Sequence, residues 1–187
     1  MILLASQSPR RRELLDQIGV QYRVAPVDVD EAHQPGESAE AYVERVTRAK
    51  ARAGAKLSGG LPVLAADTAV VLDGRPLGKP KDETHGVEML LALSGRRHQV
   101  LSGVALVHGG ELSYRLSRSD VAFASITEAQ ARAYWATGEP ADKAGGYAIQ
   151  GRAALWIQEI RGSYSGIMGL PLYETGRLLA QAGLFPD

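Results

Sequence analysis

The chain opens with a short apolar run at residues 2–5, followed by Ser8-Pro9 and a mixed stretch that stops at Gly19. The run reads as a buried strand. Serine followed by proline is a helix start: the serine oxygen takes an orphan amide, and proline is preset for the first helical position. The helix predicted there reaches about residue 18, and a second short strand follows at 22–25. Ser38 then caps a longer helix. In it Ala39, Tyr42, Val46, Ala49, Ala53 and Leu57 recur every three or four positions as one apolar stripe, ended by Gly59-Gly60.

Beyond this helix the pattern changes period. Residues 62–66 read as a strand. Segments 68–72 and 75–77 flank Asp73-Gly74, the strongest short hairpin signal. Asp82 caps a helix through Leu93, closed at Gly95. Long strands are expected at 99–107 and 112–124, around the turn His108-Gly109-Gly110-Glu111. Thr127 with Gln130 forms a capping box for a helix ending at Gly138, and a glycine-bearing loop covers 139–151. A strand is expected at 153–160, and Pro171 opens a last helix. Helices alternate with strands, but hairpins interrupt the alternation. This predicts an α/β fold with a mixed, not purely parallel, twisted sheet flanked by helices.

Composition bounds the function. The 187 residues suit one domain, or one domain with two lobes, spanning 1–187, and can bury roughly 70% of the unfolded surface without staples. There is no cysteine, which removes disulfides, thiol nucleophiles and cysteine metal sites and fits a reducing cytoplasm. The formal net charge is zero and unsegregated, with Arg10-Arg11-Arg12 the longest run of one sign. Stable nucleic-acid binding is therefore not expected. No apolar stretch approaches the ~20 residues of a membrane span, and the first residues lack a signal-peptide pattern, so a cytoplasmic location is expected.

Familiar signatures fail. Residues 74–80 have the wrong glycine spacing for a phosphate loop, and 162–166 put Tyr164 where a nucleophile elbow needs serine. His33, His85, His98 and His108 lack metal spacing and are expected on the surface or in strands. Other clusters hold. Ala5-Ser6-Gln7-Ser8-Pro9-Arg10-Arg11-Arg12 places arginines in a first helical turn, where the helix dipole disfavours them unless an anion binds; a solvated basic turn is the plainer alternative. Asp67, in Ala65-Ala66-Asp67-Thr68, is expected just past a buried strand, where it can hold a divalent metal, orient a water or only cap a turn. Lysine is scarce beside arginine, five against sixteen, which singles out Lys50 and Lys79 as phosphate ligands or, failing that, a snorkelling stem and a solvated loop. Residues 139–151 carry paired glycines for close backbone approach and Gln150, whose amide suits the edge of a nucleobase. Asp28, Asp30 and Glu31 form an acidic cluster, metal-holding or merely solvated.

The ordered set Ala-Ser-x-Ser-Pro-Arg-Arg, Asp-Glu, Ala-x-x-Lys-Ala, Ala-Asp-Thr, Leu-Gly-Lys-Pro, Asp-Lys-Ala-Gly-x-Tyr-x-Ile-Gln-Gly and Gly-Leu-Pro-Leu closely resembles the Maf family of nucleotide pyrophosphatases, from Leu4 to about Glu174. The resemblance implies an elongated, two-lobed α/β domain with a central cleft, assembling as a homodimer. It implies hydrolysis of a nucleoside triphosphate to the monophosphate plus pyrophosphate, with a divalent cation (Mg2+, Mn2+ or Co2+). Asp67 falls on the family's proton acceptor and, with Glu31, on the metal site. Ser6, Ser8, Arg11, Lys50 and Lys79 fall on phosphate-facing positions. Arg10, Thr68 and Gln150 fall on specificity positions of the branch acting on dTTP and UTP. A sister branch acts on 7-methyl-GTP, and the family's name comes from a septum-formation phenotype; these leave a modified nucleotide or a non-enzymatic regulator of septum formation as alternatives.

Overall fold

The computed structural model describes residues 1–185. Its strands are β1 (Ile2–Leu4), β2 (Tyr22–Val24), β3 (Val63–Leu72), β4 (Arg75–Pro76), β5 (Arg97–His108), β6 (Glu111–Phe123) and β7 (Ile157–Arg161). They form one open seven-stranded sheet in the order β2-β1-β3-β5-β6-β7, with β4 also paired to β3. β1 runs parallel to β2 and β3, and the remaining pairs are antiparallel. The expected mixed sheet is thus present. Asp73 and Gly74 take φ of 50° and 76°, the doubly positive turn that a right-twisted two-residue hairpin needs.

Among the described residues six α-helices flank the sheet: α1 (Pro9–Gln17), α2 (Ala39–Ala55), α3 (Glu83–Leu93), α4 (Glu128–Trp135), α5 (Tyr164–Met168) and α6 (Leu172–Gln181). One face is covered by α2, whose Ala39, Val43 and Ala51 pack on Leu3, Val63, Ala65, Ala69, Val71 and Leu101. The opposite face carries the larger core, where Leu14 and Leu15 of α1, Leu90 and Leu93 of α3, Tyr134 of α4 and Leu178 and Leu179 of α6 meet Leu4, Leu64, Val70 and Val104. No helix among the described residues is long and apolar enough to cross a membrane.

Four expectations change. The segments predicted at 62–66 and 68–72 are one ten-residue strand, so Asp67 lies inside β3 and not past its end. The stripe of α2 is rotated: Val43, Val46, Thr47, Lys50, Ala51 and Gly54 are buried, whereas Leu57 lies beyond the helix and is 52% exposed. A small glycine and two polar side chains face inward here, and a tally of apolar residues does not see them. Residues Arg152–Trp156 form a 3-10 turn before β7 begins. Lastly, α5 was not expected; Ser163 caps it by accepting from the Gly166 amide at 2.9 Å.

Candidate functional site

β1 stops early. It pairs with β3 only through Leu3 with Val63 and Leu4 with Leu64, while β4 pairs with β3 only at Val71 and Leu72. Between these contacts one edge of β3 has no neighbouring strand among the described residues, and a cavity of about 690 Å³ opens there. It lies at the carboxyl end of β1, where crevices open in α/β sheets. Side chains alternate across a strand, so Asp67 and Thr68 point to opposite faces of the sheet. At an edge without a neighbour both reach the same cavity.

On the α2 face, Asp67 is 6% exposed and accepts from Lys50 Nζ through Oδ1 at 2.7 Å. The same Nζ lies 2.9 Å from Glu31 Oε1. Lys50 comes from the buried face of α2, and its charge is tolerated there because two carboxylates pair with it. Tyr42, about two turns earlier on α2, also lines the cavity and donates its hydroxyl to the Glu31 carbonyl at 3.1 Å. Burial, reinforced by Asp67 and Glu31, pushes its pKa up to about 12, so it stays a donor.

On the other face, Thr68 Oγ1 is 2.8 Å from Ser102 Oγ, its cross-strand partner, and Ser102 donates to the Gly166 carbonyl at 2.5 Å. That commitment leaves Thr68 to donate toward Ser102 or the Gly169 carbonyl. Arg11 Nε donates to the Gly169 carbonyl at 2.8 Å and Nη1 donates to Ser6 Oγ at 3.1 Å. Desolvation lowers the Arg11 pKa, with Asp67 and Glu31 opposing and Arg10 adding to the shift; a guanidinium keeps its charge regardless. Ser6 Oγ also accepts the Ser8 amide at 3.1 Å. Ser8 holds the N-cap position of α1, but its own hydroxyl makes no cap bond, contrary to expectation. The first-turn amides of α1 and the Ser8 hydroxyl therefore keep hydrogen-bonding capacity at the positive end of the helix.

The remaining wall is the 139–151 segment and the loop after β4. Gly145, at φ 68°, packs so that a Cβ would lie 2.8 Å from Val70, and its amide donates to the Gly78 carbonyl at 2.8 Å. This seats Gln150 and the exposed Lys79 on the cavity. Arg10 faces Asp142 at 3.9 Å, and Lys143 makes an ion pair with the same carboxylate. Desolvation opposes ionisation of Asp142, but Lys143 and Arg10 outweigh it and hold its carboxyl below the usual value.

Ser6, Ser8, Arg10, Arg11, Glu31, Lys50, Asp67, Thr68, Lys79 and Gln150 all line this one cavity. Sequence reasoning missed Tyr42, Lys143 and the Arg11–Gly169 anchor. The scarcity of lysine that singled out Lys50 and Lys79 applied equally to Lys143. The Gly169 carbonyl is a backbone group that no side-chain motif announces. Asp28 does not line the cavity, and no cluster of three His, Cys, Asp or Glu side chains that could hold a metal occurs among the described residues. Glu31 and Asp67 still supply hard oxygens on either side of one charge-sized position, held here by Lys50 Nζ. Mg2+ commonly takes only one or two carboxylates and completes its shell with phosphates and water, so the donor set fits such a cation.

A family model described as "Maf-like protein" matches residues 1–182. A protein of Saccharophagus degradans named "dTTP/UTP pyrophosphatase" is 54% identical over 182 residues, covering 95% of this chain and 87% of that protein. Proteins with the same name from Alkalilimnicola ehrlichii and Nitrosomonas europaea are 55% and 52% identical, covering 95% and 98% of this chain and 91% and 95% of their own lengths.

Proposed function

The chain belongs to the Maf family, and on that premise we propose that it is a nucleoside triphosphate pyrophosphatase. Its substrates are dTTP and UTP, hydrolysed to the monophosphate and pyrophosphate. The observation that carries this reading is the meeting of Asp67, Lys50 and Glu31 with the Ser6–Arg11 segment in a single cavity at the open edge of β3. Relatives named for dTTP and UTP give the substrate class.

In the mechanism, water attacks the α-phosphorus, the bond from that phosphorus to the bridging oxygen breaks, and pyrophosphate leaves. Asp67, whose Oδ1 pairs with Lys50 Nζ, is the group that orients the water and takes its proton. Ser6, Ser8 and Arg11 bind the phosphates as donors set at the start of α1, which limits reorganisation as charge moves onto the leaving group, and the exposed Lys79 adds a cation from the loop after β4. Glu31 and Asp67 would hold a divalent cation, which when bound neutralises phosphate charge. Arg10, Thr68 and Gln150 discriminate the nucleoside. The Gln150 amide offers a donor and an acceptor, the complement of the carbonyl and imino groups of a thymine or uracil edge.

A panel of nucleoside triphosphates assayed for pyrophosphate release with Mg2+, Mn2+ and Co2+ tests this reading. dTTP and UTP should head the panel, and Asp67→Asn should lose at least about 10²-fold in kcat while still binding nucleotide. If 7-methyl-GTP outranks both pyrimidines the specificity is wrong. Near-normal turnover in Asp67→Asn removes Asp67 from its role.

A further inference from the structure

Glu31 is half-exposed and sits in the segment between β2 and α2, where residues 25–38 form no helix or strand. A carboxylate on such a segment needs something to hold it over Lys50. Three successive carbonyls do the holding. Asp30, Glu31 and Ala32 accept from Arg45 Nη1 at 3.3 Å, Tyr42 Oη at 3.1 Å and Arg45 Nη2 at 2.8 Å. The same guanidinium grips the far end of the segment, with Nε on Glu37 Oε1 at 2.7 Å and Nη2 on Glu37 Oε2 at 2.9 Å. It lies 5.7 Å from the Tyr42 ring centroid, which restrains its plane. Two local bonds complete the clasp: the Ala32 amide on Asp30 Oδ1 at 2.9 Å and the Gln34 amide on Glu37 Oε2 at 3.1 Å. Arg45 does not line the cavity.

We propose that Arg45 is a positioning residue of the reaction, which clasps residues 30–37 from both ends and so holds the Glu31 carboxylate in register with Lys50 and Asp67. Arg45, Tyr42 and Lys50 all belong to α2, so one rigid helix sets both the clasp and the group that Glu31 faces. Only a planar fork reaches two carbonyls and one carboxylate at once; a lysine, a single point charge, does not. The inference rests on the reading of Glu31 as a cation ligand.

The test uses Arg45→Met, which keeps an apolar stem and removes the fork, with Glu37→Gln as a milder break from the loop side. Amide hydrogen exchange is followed in the cation-free protein. Mn2+ affinity is followed by electron paramagnetic resonance with an α,β-imido analogue of dTTP present. In Arg45→Met the amides of 30–37 should exchange at least about tenfold faster while β3 and β5 keep their protection. Mn2+ affinity should fall by about 10–100-fold, the usual cost of removing an outer support of a metal ligand. Arg45→Lys should recover only part of it. Because Arg45 acts through Glu31, the double variant with Glu31→Gln should bind Mn2+ no worse than Glu31→Gln alone. Wild-type exchange and affinity in Arg45→Met, or additive losses in the double variant, overturn the proposal while leaving the Glu31 reading intact. Unchanged Mn2+ affinity in Glu31→Gln itself overturns both.

Discussion

Among the buried polar side chains, Lys50 and Asp67 serve the cavity, and others hold its walls. His98 belongs to the second kind. It is 3% exposed, its Nε2 is 2.7 Å from the Tyr147 hydroxyl, and it meets Phe123 edge-on. Burial lowers its pKa from 6.5 to about 4, with Asp120 opposing weakly. Above 6.5 both folded and unfolded chains carry a neutral imidazole and His98 has no effect on pH dependence. As pH falls from 6.5 towards 4, the unfolded chain takes up a proton that the folded chain refuses, so stability drops. The loss is about 1.4 kcal/mol per pH unit and roughly 3 kcal/mol in all. Chemical denaturation of wild type and His98→Gln at pH 7 and pH 4.5 measures it: the variant should lose less stability on acidification. Parallel losses would show that His98 titrates normally.

At the scale of elements, α2 sits unusually close to the sheet at one point. A Cβ on Gly54 would lie 2.7 Å from Ala5 Cβ and 2.8 Å from Val63 Cγ1. Alanine at a helical position normally gains about 1 kcal/mol over glycine. Here overpacking, at about 1–3 kcal/mol, opposes that gain and displaces Ala5, which leads directly into Ser6. Gly54→Ala should therefore be destabilised by about 1 kcal/mol in urea, with KM for the triphosphate raised; a stabilised variant would mean that α2 can lift without cost. The same close packing explains what the sequence did and did not reveal. Hairpin turns and caps at Asp73-Gly74, Ser38, Asp82 and Thr127 were legible because their chemistry is local. The phase of α2 was not, because Thr47, Lys50 and Gly54 point inward for reasons set by β1, β3 and Glu31. Asp67 read as a strand end because a carboxylate inside a buried strand makes sense only once the missing neighbour along that edge is known.

For the whole molecule, zero net charge coexists with a cavity lined by Arg10, Arg11, Lys50, Lys79 and Lys143. The motifs of the site were readable one by one, but their convergence depends on strand order, which no local pattern encodes. A ligand in this cavity touches segments from Ser6 to Gly169 and should tighten the entire fold. At 100 times its Kd, a non-hydrolysable triphosphate with Mn2+ contributes about 2.7 kcal/mol, a rise in Tm of roughly 5–10 °C for a chain of this size. Calorimetry with and without the analogue checks it; a local loop response with no shift in Tm would contradict a site built from the whole chain. The Arg11–Gly169 bond spans 158 positions. A chain emerging from the ribosome can fold β1, α1 and β3 early, yet the anchor for Arg11 and Thr68 does not exist until the region of Gly169 has been synthesised. The wall of the cavity at Arg11 and Thr68 therefore closes late, and a chain released before the segment around Gly169 lacks that anchor.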